Sequence, residues 1–232
     1  MQTALSILKP RATQDLSRCA AIKCSAMCLR PLSVLPLAQR REPHVLIERF
    51  DFPDVVHFEP KKFGDHRGYF SEIFRKEWFS KNIGEFDFVQ ENQSLSAAVG
   101  TVRGLHFQTS PFVQGKLVRC LSGALVDVIV DIRHGSPTYS RWMAVELTAE
   151  RGNQLWVPPG FAHGFCTIQP NTVLCYKVTA YYSVENDKGM AWDDPAVDIK
   201  WPSVANPEFL SAKDQVQPKL EELPLYFSFG AR

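Results

Sequence analysis

Past residue 44 the chain is a succession of short β-type runs cut by glycine and proline, with hardly any helical periodicity. Such runs occur at 86–90, 100–108, 116–122, 125–133, 142–147, 154–157, 162–168, 173–179 and 190–192, and shorter ones around 50–58 and 68–70. Turn residues part them at Gly123, at Gly135-Ser136-Pro137 and at Pro158-Pro159-Gly160. Short strands at near-even spacing leave no room for the crossover helices of an α/β sheet, so the pattern predicts an all-β sandwich or barrel. One short helix is expected over 75–82, where Trp78 and Phe79 share a face with Ile73 or Phe74. The segment 209–215 reads as a short helix or an irregular arm.

The first 43 residues are of another kind. Lys9, Arg11, Arg18, Lys23, Arg30, Arg40 and Arg41 stand against Asp15 and Glu42 alone, among Ser, Ala and Leu. This composition suits a transit-peptide-like leader or a poorly ordered extension with no addressing role. The folded domain is therefore taken as 44–232, with a cytoplasmic location, or an organellar one if 1–43 is a transit peptide. A net charge of +1 gives no overall drive towards nucleic acid, and no apolar run is as long as a membrane span. Cys120, Cys166 and Cys175 sit singly in apolar runs, as packed thiols do; Cys19, Cys24 and Cys28 lack zinc-site spacing.

Chemistry concentrates in a few stretches. Over 102–121 the text VRGLHFQTSPFVQGKLVRCL sets Arg103, His106, Lys116 and Arg119 among β-type residues. Regular alternation sends Arg103 and His106 to opposite faces, unless Gly104 carries a bulge that re-aims one of them. A second stretch, LWVPPGFAHGF, delivers His163 after a Pro-Pro-Gly turn. Two strand histidines suit zinc or iron, but His106 is followed by Gln108 where a second ligand would stand, so a metal-free site of His, Lys and Tyr fits better. In YKVTAYY, alternation puts Tyr176 on one face and Lys177 on the other. A near-neutral base beside a desolvated cation is what proton abstraction next to a carbonyl requires, and a phenol can return the proton.

In order along the chain, RGLHFQ, QGKLVR, VDIRHGSPTYSRW, QLWVPPGFAHGF, YKVTAYY, WDDP and SAKD resemble the dTDP-4-dehydrorhamnose 3,5-epimerase family over about 50–214. The resemblance implies a cupin double-stranded β-helix (jelly roll), a homodimer with strands passing between subunits, and no cofactor. Matched to the family's motifs, His106 is the general base, Asp214 the carboxylate paired with it, Tyr176 the proton donor and Lys116 the cation near the 4-keto oxygen. Arg67, Glu72, Gln90, Asn92, Arg103, His163 and Lys213 match nucleotide-sugar contacts, and Tyr182 a ring beside the hexose. The family's Pro-Glu-His-Glu is here Val184-Glu185-Asn186-Asp187, so a contact of the last Glu falls to the shorter Asp187. Phe107 replaces the commoner tyrosine and loses a hydroxyl.

The implied reaction is epimerisation of dTDP-4-dehydro-6-deoxy-D-glucose at C3 and C5. Alternatives are a single-carbon epimerase, a metal-dependent cupin enzyme, and a non-catalytic sugar-nucleotide binder. The last is opposed by the joint presence of His106, Lys116 and Tyr176.

Overall fold

The computed structural model describes residues 38–42 and 45–230. Its strands are β1 (Ala38–Glu42), β2 (Val45–Arg49), β3 (Val56–Pro60), β4 (Phe63–Asp65), β5 (Gly68–Phe70), β6 (Gln90–Ser96) and β7 (Val102–Gln108). There follow β8 (Lys116–Ser122), β9 (Ala124–Asp131), β10 (Trp142–Thr148), β11 (Gln154–Val157), β12 (Phe161–Thr167), β13 (Thr172–Val178) and β14 (Asp187–Gly189). The helix α1 (Lys76–Asn82) lies between β5 and β6. Of the segment set apart by composition, only 38–42 is described, as the strand that pairs antiparallel with β2; Cys19, Cys24 and Cys28 lie outside the described residues.

Seven strands form one sheet in the order β1-β2-β3-β11-β8-β13-β6, five form a second in the order β10-β9-β12-β7-β14, and β4 with β5 makes a separate hairpin. The inner faces meet in a single apolar cluster. Val118, Cys120, Leu155, Val157 and Leu174 come from the larger sheet, and Leu125, Ile129, Met143, Leu147, Phe161 and Phe165 from the smaller. Each such side chain, fully withdrawn from water, contributes about 1.5–3 kcal/mol. The result is the all-β sandwich that the strand pattern predicts, in the jelly-roll form that the family resemblance implies.

Towards one end of this sandwich the inward positions change character without any break in alternation. Lys116 shares the inner face of β8 with Val118 and Cys120, Tyr176 that of β13 with Leu174, Asp127 that of β9 with Leu125 and Ile129, and His163 that of β12 with Phe161 and Phe165. The apolar members anchor each strand, so the polar ones are carried on a rigid frame.

The outer faces are covered too. On the larger sheet, Phe79 of α1 meets Trp156 edge-on at 5.2 Å, with Phe58, Leu117, Phe86 and Phe88 around them. α1 has no side-chain cap at Arg75, so this packing holds it rather than its ends. On the smaller sheet, Leu220, Tyr226 and Phe227 of the C-terminal arm lie on Leu105, Phe107 and Met190.

Strands β1, β2 and β4 fall outside the foreseen runs, the run at 50–58 narrows to β3, and two foreseen strands are displaced. The strand foreseen at 86–90 is instead β6, because Phe86 and Phe88 pack as a loop on Trp156 and pairing with β13 begins at Gln90. The one foreseen at 190–192 is β14, three residues earlier; after Met190 the chain turns to the arm, with Ala191 N–H donating to Pro218 O. Cys120, Cys166 and Cys175 are buried and free. No helix among the described residues is long and apolar enough to cross a membrane.

Candidate active site

Gly104 decides which way β7 presents its side chains. Its φ is 120°, and the β7–β12 register slips between His163↔His106 and Phe165↔Arg103. A Cβ there would stand 2.6 Å from Gly164 Cα, so only glycine fits. The slip turns Arg103 and His106 to the same side while Leu105 and Phe107 face the outer core. The hydroxyl absent from Phe107 would therefore have pointed at Tyr226 and Phe227, away from the site.

The cavity into which Arg103 and His106 project is about 450 Å³, and Lys116, His163, Tyr176 and Asp214 line it with them. His106 Nε2–H donates to Asp214 Oδ1 at 2.6 Å, which fixes the tautomer and leaves Nδ1 as the basic nitrogen. Its side chain is 32% exposed, open to a ligand, whereas Asp214 is buried. Burial pushes the Asp214 carboxyl up, but His106, Ser211 and the Gly104 N–H outweigh it and hold it below the usual carboxylate value.

Lys116 reaches from the larger sheet to the smaller, donating to the backbone carbonyl of His106 at 3.1 Å. Burial lowers its ammonium to about 8, against the opposing pull of Asp127 and Asp187. Tyr176 has its phenol raised by burial, with its cross-strand neighbour Asn92 pulling the other way. The imidazole and the phenol thus stand on opposite sheets of one cavity, and the Lys116 ammonium reaches from the sheet of Tyr176 to the backbone of His106.

Arg103 is braced against β6, donating to Ser96 Oγ and Leu95 O at 3.1 Å each. His163 Nε2–H donates to both oxygens of buried Asp127 at 3.0 Å. Beside the cavity runs a polar chain: Gln90 donates to Asn92 at 2.8 Å and accepts from Tyr182 N–H, and the Tyr182 hydroxyl donates to Asp187 Oδ2 at 3.0 Å. Asp187 also holds the Lys213 ammonium, next to Asp214. Arg67 and Glu72 are placed elsewhere, flanking β5; Arg67 pairs with Asp65 and Glu72 with Arg75, and neither lines the cavity that holds His106. Among the described residues, no three His, Cys, Asp or Glu side chains converge as a metal site.

The sequence profile of dTDP-4-dehydrorhamnose 3,5-epimerase matches residues 49–222. The chain belongs to the dTDP-4-dehydrorhamnose 3,5-epimerase family. It is 59% identical over 176 residues to the dTDP-4-dehydrorhamnose 3,5-epimerase of Sinorhizobium fredii, covering 76% of this chain and 90% of that one. Among solved structures it is similar to the dTDP-6-deoxy-D-glucose-3,5-epimerase of Legionella pneumophila in complex with dTDP-4-keto-L-rhamnose. That likeness has a TM-score of 0.76 at 38% identity, over 81% of this chain and 100% of that one. It is also similar to a 3'-monoepimerase from Streptomyces bikiniensis, with a TM-score of 0.73 at 33% identity, over 78% of this chain and 92% of that one.

For an epimerase of this family, Asp127 is the residue that motif reading passes over. Its signal lay in the run Leu125-Val126-Asp127-Val128-Ile129, where a carboxylate takes an inward phase that its neighbours fill with apolar groups.

Proposed function

We propose that this isomerase inverts C3 and C5 of dTDP-4-dehydro-6-deoxy-D-glucose to give dTDP-4-dehydro-L-rhamnose, with His106, Lys116, Tyr176 and Asp214 as its working groups. The observation that carries the reading is the placement of His106 and Tyr176 on facing sheets of one cavity, with the Lys116 ammonium lining the same cavity and reaching the backbone of His106. A ketone at C4 acidifies the hydrogens on C3 and C5. His106 Nδ1 takes one of these protons, and the C–H electron pair moves through the new C–C double bond onto the C4 oxygen. Lys116 stabilises that enolate oxygen by charge in a dry setting. Tyr176 gives its proton to the opposite face of the carbon as the enolate collapses, leaving a phenolate and an imidazolium. Proton exchange with solvent resets both groups, and the cycle repeats at the second carbon. Asp214 holds the ring of His106 in place through Nε2.

Arg103, His163, Gln90, Asn92, Tyr182, Asp187 and Lys213 are proposed to receive the nucleotide sugar, Arg103 through its cation on the diphosphate. Arg67 and Glu72, set apart from this chain's own cavity on a hairpin with exposed Tyr69 and Phe70, support a homodimer in which they serve the partner's site. The catalytic domain is proposed to work in the cytoplasm, or in an organelle if 1–43 acts as a transit peptide.

The second reading, inversion at one carbon, has a specific motive in the likeness to a monoepimerase. NMR of the sugar nucleotide in D₂O separates them. Deuterium at both C3 and C5 with inverted product supports double epimerisation, deuterium at one carbon supports the second reading, and no exchange rejects both.

A further inference from the structure

Gln108, the last residue of β7, is 4% exposed and spends its whole amide on three backbone groups. Its Nε2 donates to Phe112 O at 2.8 Å and to Tyr181 O at 3.0 Å, and its Oε1 accepts from Ser183 N–H at 2.7 Å. Between those two grips, Tyr182 N–H donates to Gln90 Oε1 at 3.0 Å. Two glutamines, one from each sheet, therefore hold three consecutive residues of a connection that has no strand of its own. Further along, Thr109 N–H donates to Asn186 O at 3.0 Å, and Asp187 pairs with Gln108 across β7 and β14.

Residues 181–187, which run through this connection into the first residue of β14, carry the two side chains that join the polar chain beside the cavity. The Tyr182 hydroxyl meets Asp187, and Asp187 meets Lys213. We propose that Gln108 is a positioning residue that, together with Gln90, pins the 181–187 connection so that Tyr182 and Asp187 keep their places beside the reacting groups. It touches no substrate itself and acts through the backbone it holds. The assignment rests on the epimerase reading of the cavity and adds to it a residue outside the cavity wall.

A distinct consequence follows for Lys116. The charged and titratable groups facing it are Asp127 on β9, Asp187 on β14, Lys213, and the cavity residues His106, Arg103, His163, Tyr176 and Asp214. Asp187 is one of two carboxylates that hold up its charge, so a displaced connection weakens the ammonium as well as misplacing Tyr182.

The test compares wild type, Gln108→Met, Asp187→Asn and the double variant, measuring kcat and KM for dTDP-4-dehydro-6-deoxyglucose across pH. Gln108→Met is expected to lower kcat/KM by up to about 10²-fold, the scale of a misplacement of about 1 Å. Its alkaline limb should move to lower pH, and Asp187→Asn should add little in the Gln108→Met background. An unmoved limb, or losses that multiply in full, overturns the role. Should Gln108→Met not fold, Gln90→Leu on the edge strand β6 is read by the same two criteria. Deuterium uptake by the wild type separates this from the broader reading. Its absence overturns both, whereas uptake with an unmoved limb overturns the positioning role alone.

Discussion

Asp127 accepts a hydrogen bond from His163 Nε2–H through both carboxylate oxygens at 3.0 Å, the carboxylate fully buried and the imidazole 7% exposed to the cavity. The same carboxylate is the strongest of the charges that oppose the loss of the proton on Lys116. Asp127→Asn therefore removes a counter-charge from the cavity while keeping its volume. In the wild type the alkaline limb of kcat/KM should lie near pH 8, where Lys116 loses its proton, and Asp127→Asn should move it to lower pH. The lost charge-assisted bond to His163 should cost about 1.5–3 kcal/mol of stability. A pH profile beside a urea titration checks both, and an unmoved limb would show that Asp127 serves packing alone.

His106→Asn keeps a polar side chain of similar reach but has no basic nitrogen to take a proton. Deuterium wash-in at C3 and C5 should fall by at least about 10²–10⁴-fold. Binding of dTDP, followed by calorimetry, should stay near wild type, because the nucleotide contacts proposed here come from other residues. Undiminished exchange would remove His106 from the role of base.

Lys116→Met should show activity and stability moving in opposite directions. The ammonium is buried and its pKa lies at about 8, below its ordinary 10.5. The unfolded chain thus binds a proton more readily than the folded one between these values. Stability linked to this group rises with pH across that window, and below it the buried charge is a burden on the order of 3 kcal/mol. Replacing it with a thioether of similar length should raise the urea midpoint at pH 7 and flatten its pH dependence from 8 to 10.5. Turnover should drop about 10²–10³-fold as the enolate oxygen loses its partner. A variant that is both inactive and less stable would contradict this account of the burial.

How much of this was readable beforehand varies with the range of the interaction. Lys116 and Tyr176 declare their facing through two-residue alternation with Val118 and Leu174, and Gly104 signals the bulge because no other residue tolerates its backbone. Eight of the described strands lie close to their expected places for the same local reason. β6 was misplaced because Gln90, Asn92 and Ser94 form a polar inward edge, without the apolar alternation that marks a strand. Asp214 meets His106 across 108 positions of chain, through an arm whose course is set by tertiary packing. No periodicity reports such a meeting, and the motif match alone pointed to it.

Tyr176→Phe leaves the ring in its apolar setting and removes the proton that the enolate carbon would receive. In the proposed mechanism proton loss falls to His106 and Lys116, so solvent deuterium should still reach the substrate from the side of His106. Inverted product should fall more steeply than exchange does. Measuring deuterium content and product ratio in one NMR series gives both rates. Equal damage to the two would mean that the phenol does not act as a separate donor.

Asp131 offers the last test, away from the cavity. It is fully buried, receives Arg133 Nε and N–H at 3.0 Å, and accepts from Ser136 Oγ at 2.6 Å and Thr138 Oγ1 at 2.7 Å. Burial raises its carboxyl, but these four donors outweigh that and hold it below the ordinary value. A carboxyl depressed in the folded state contributes stability that is complete above its unfolded value, about 3.9, and is lost as pH falls through its folded value. Asp214 behaves alike through His106. The melting temperature should accordingly fall steeply below about pH 4 in the wild type. Asp131→Asn should lower it by a larger margin at pH 7 than at pH 3, since the wild type has by then begun to lose the same charge. Arg133, stacked over Phe161 at 4.4 Å, would keep only the exposed Asp54 carboxylate, at 3.4 Å, as a counter-charge, which makes the neutral-pH penalty large. A margin that stays constant from pH 7 to pH 3 would show that the fold does not draw on the Asp131 charge.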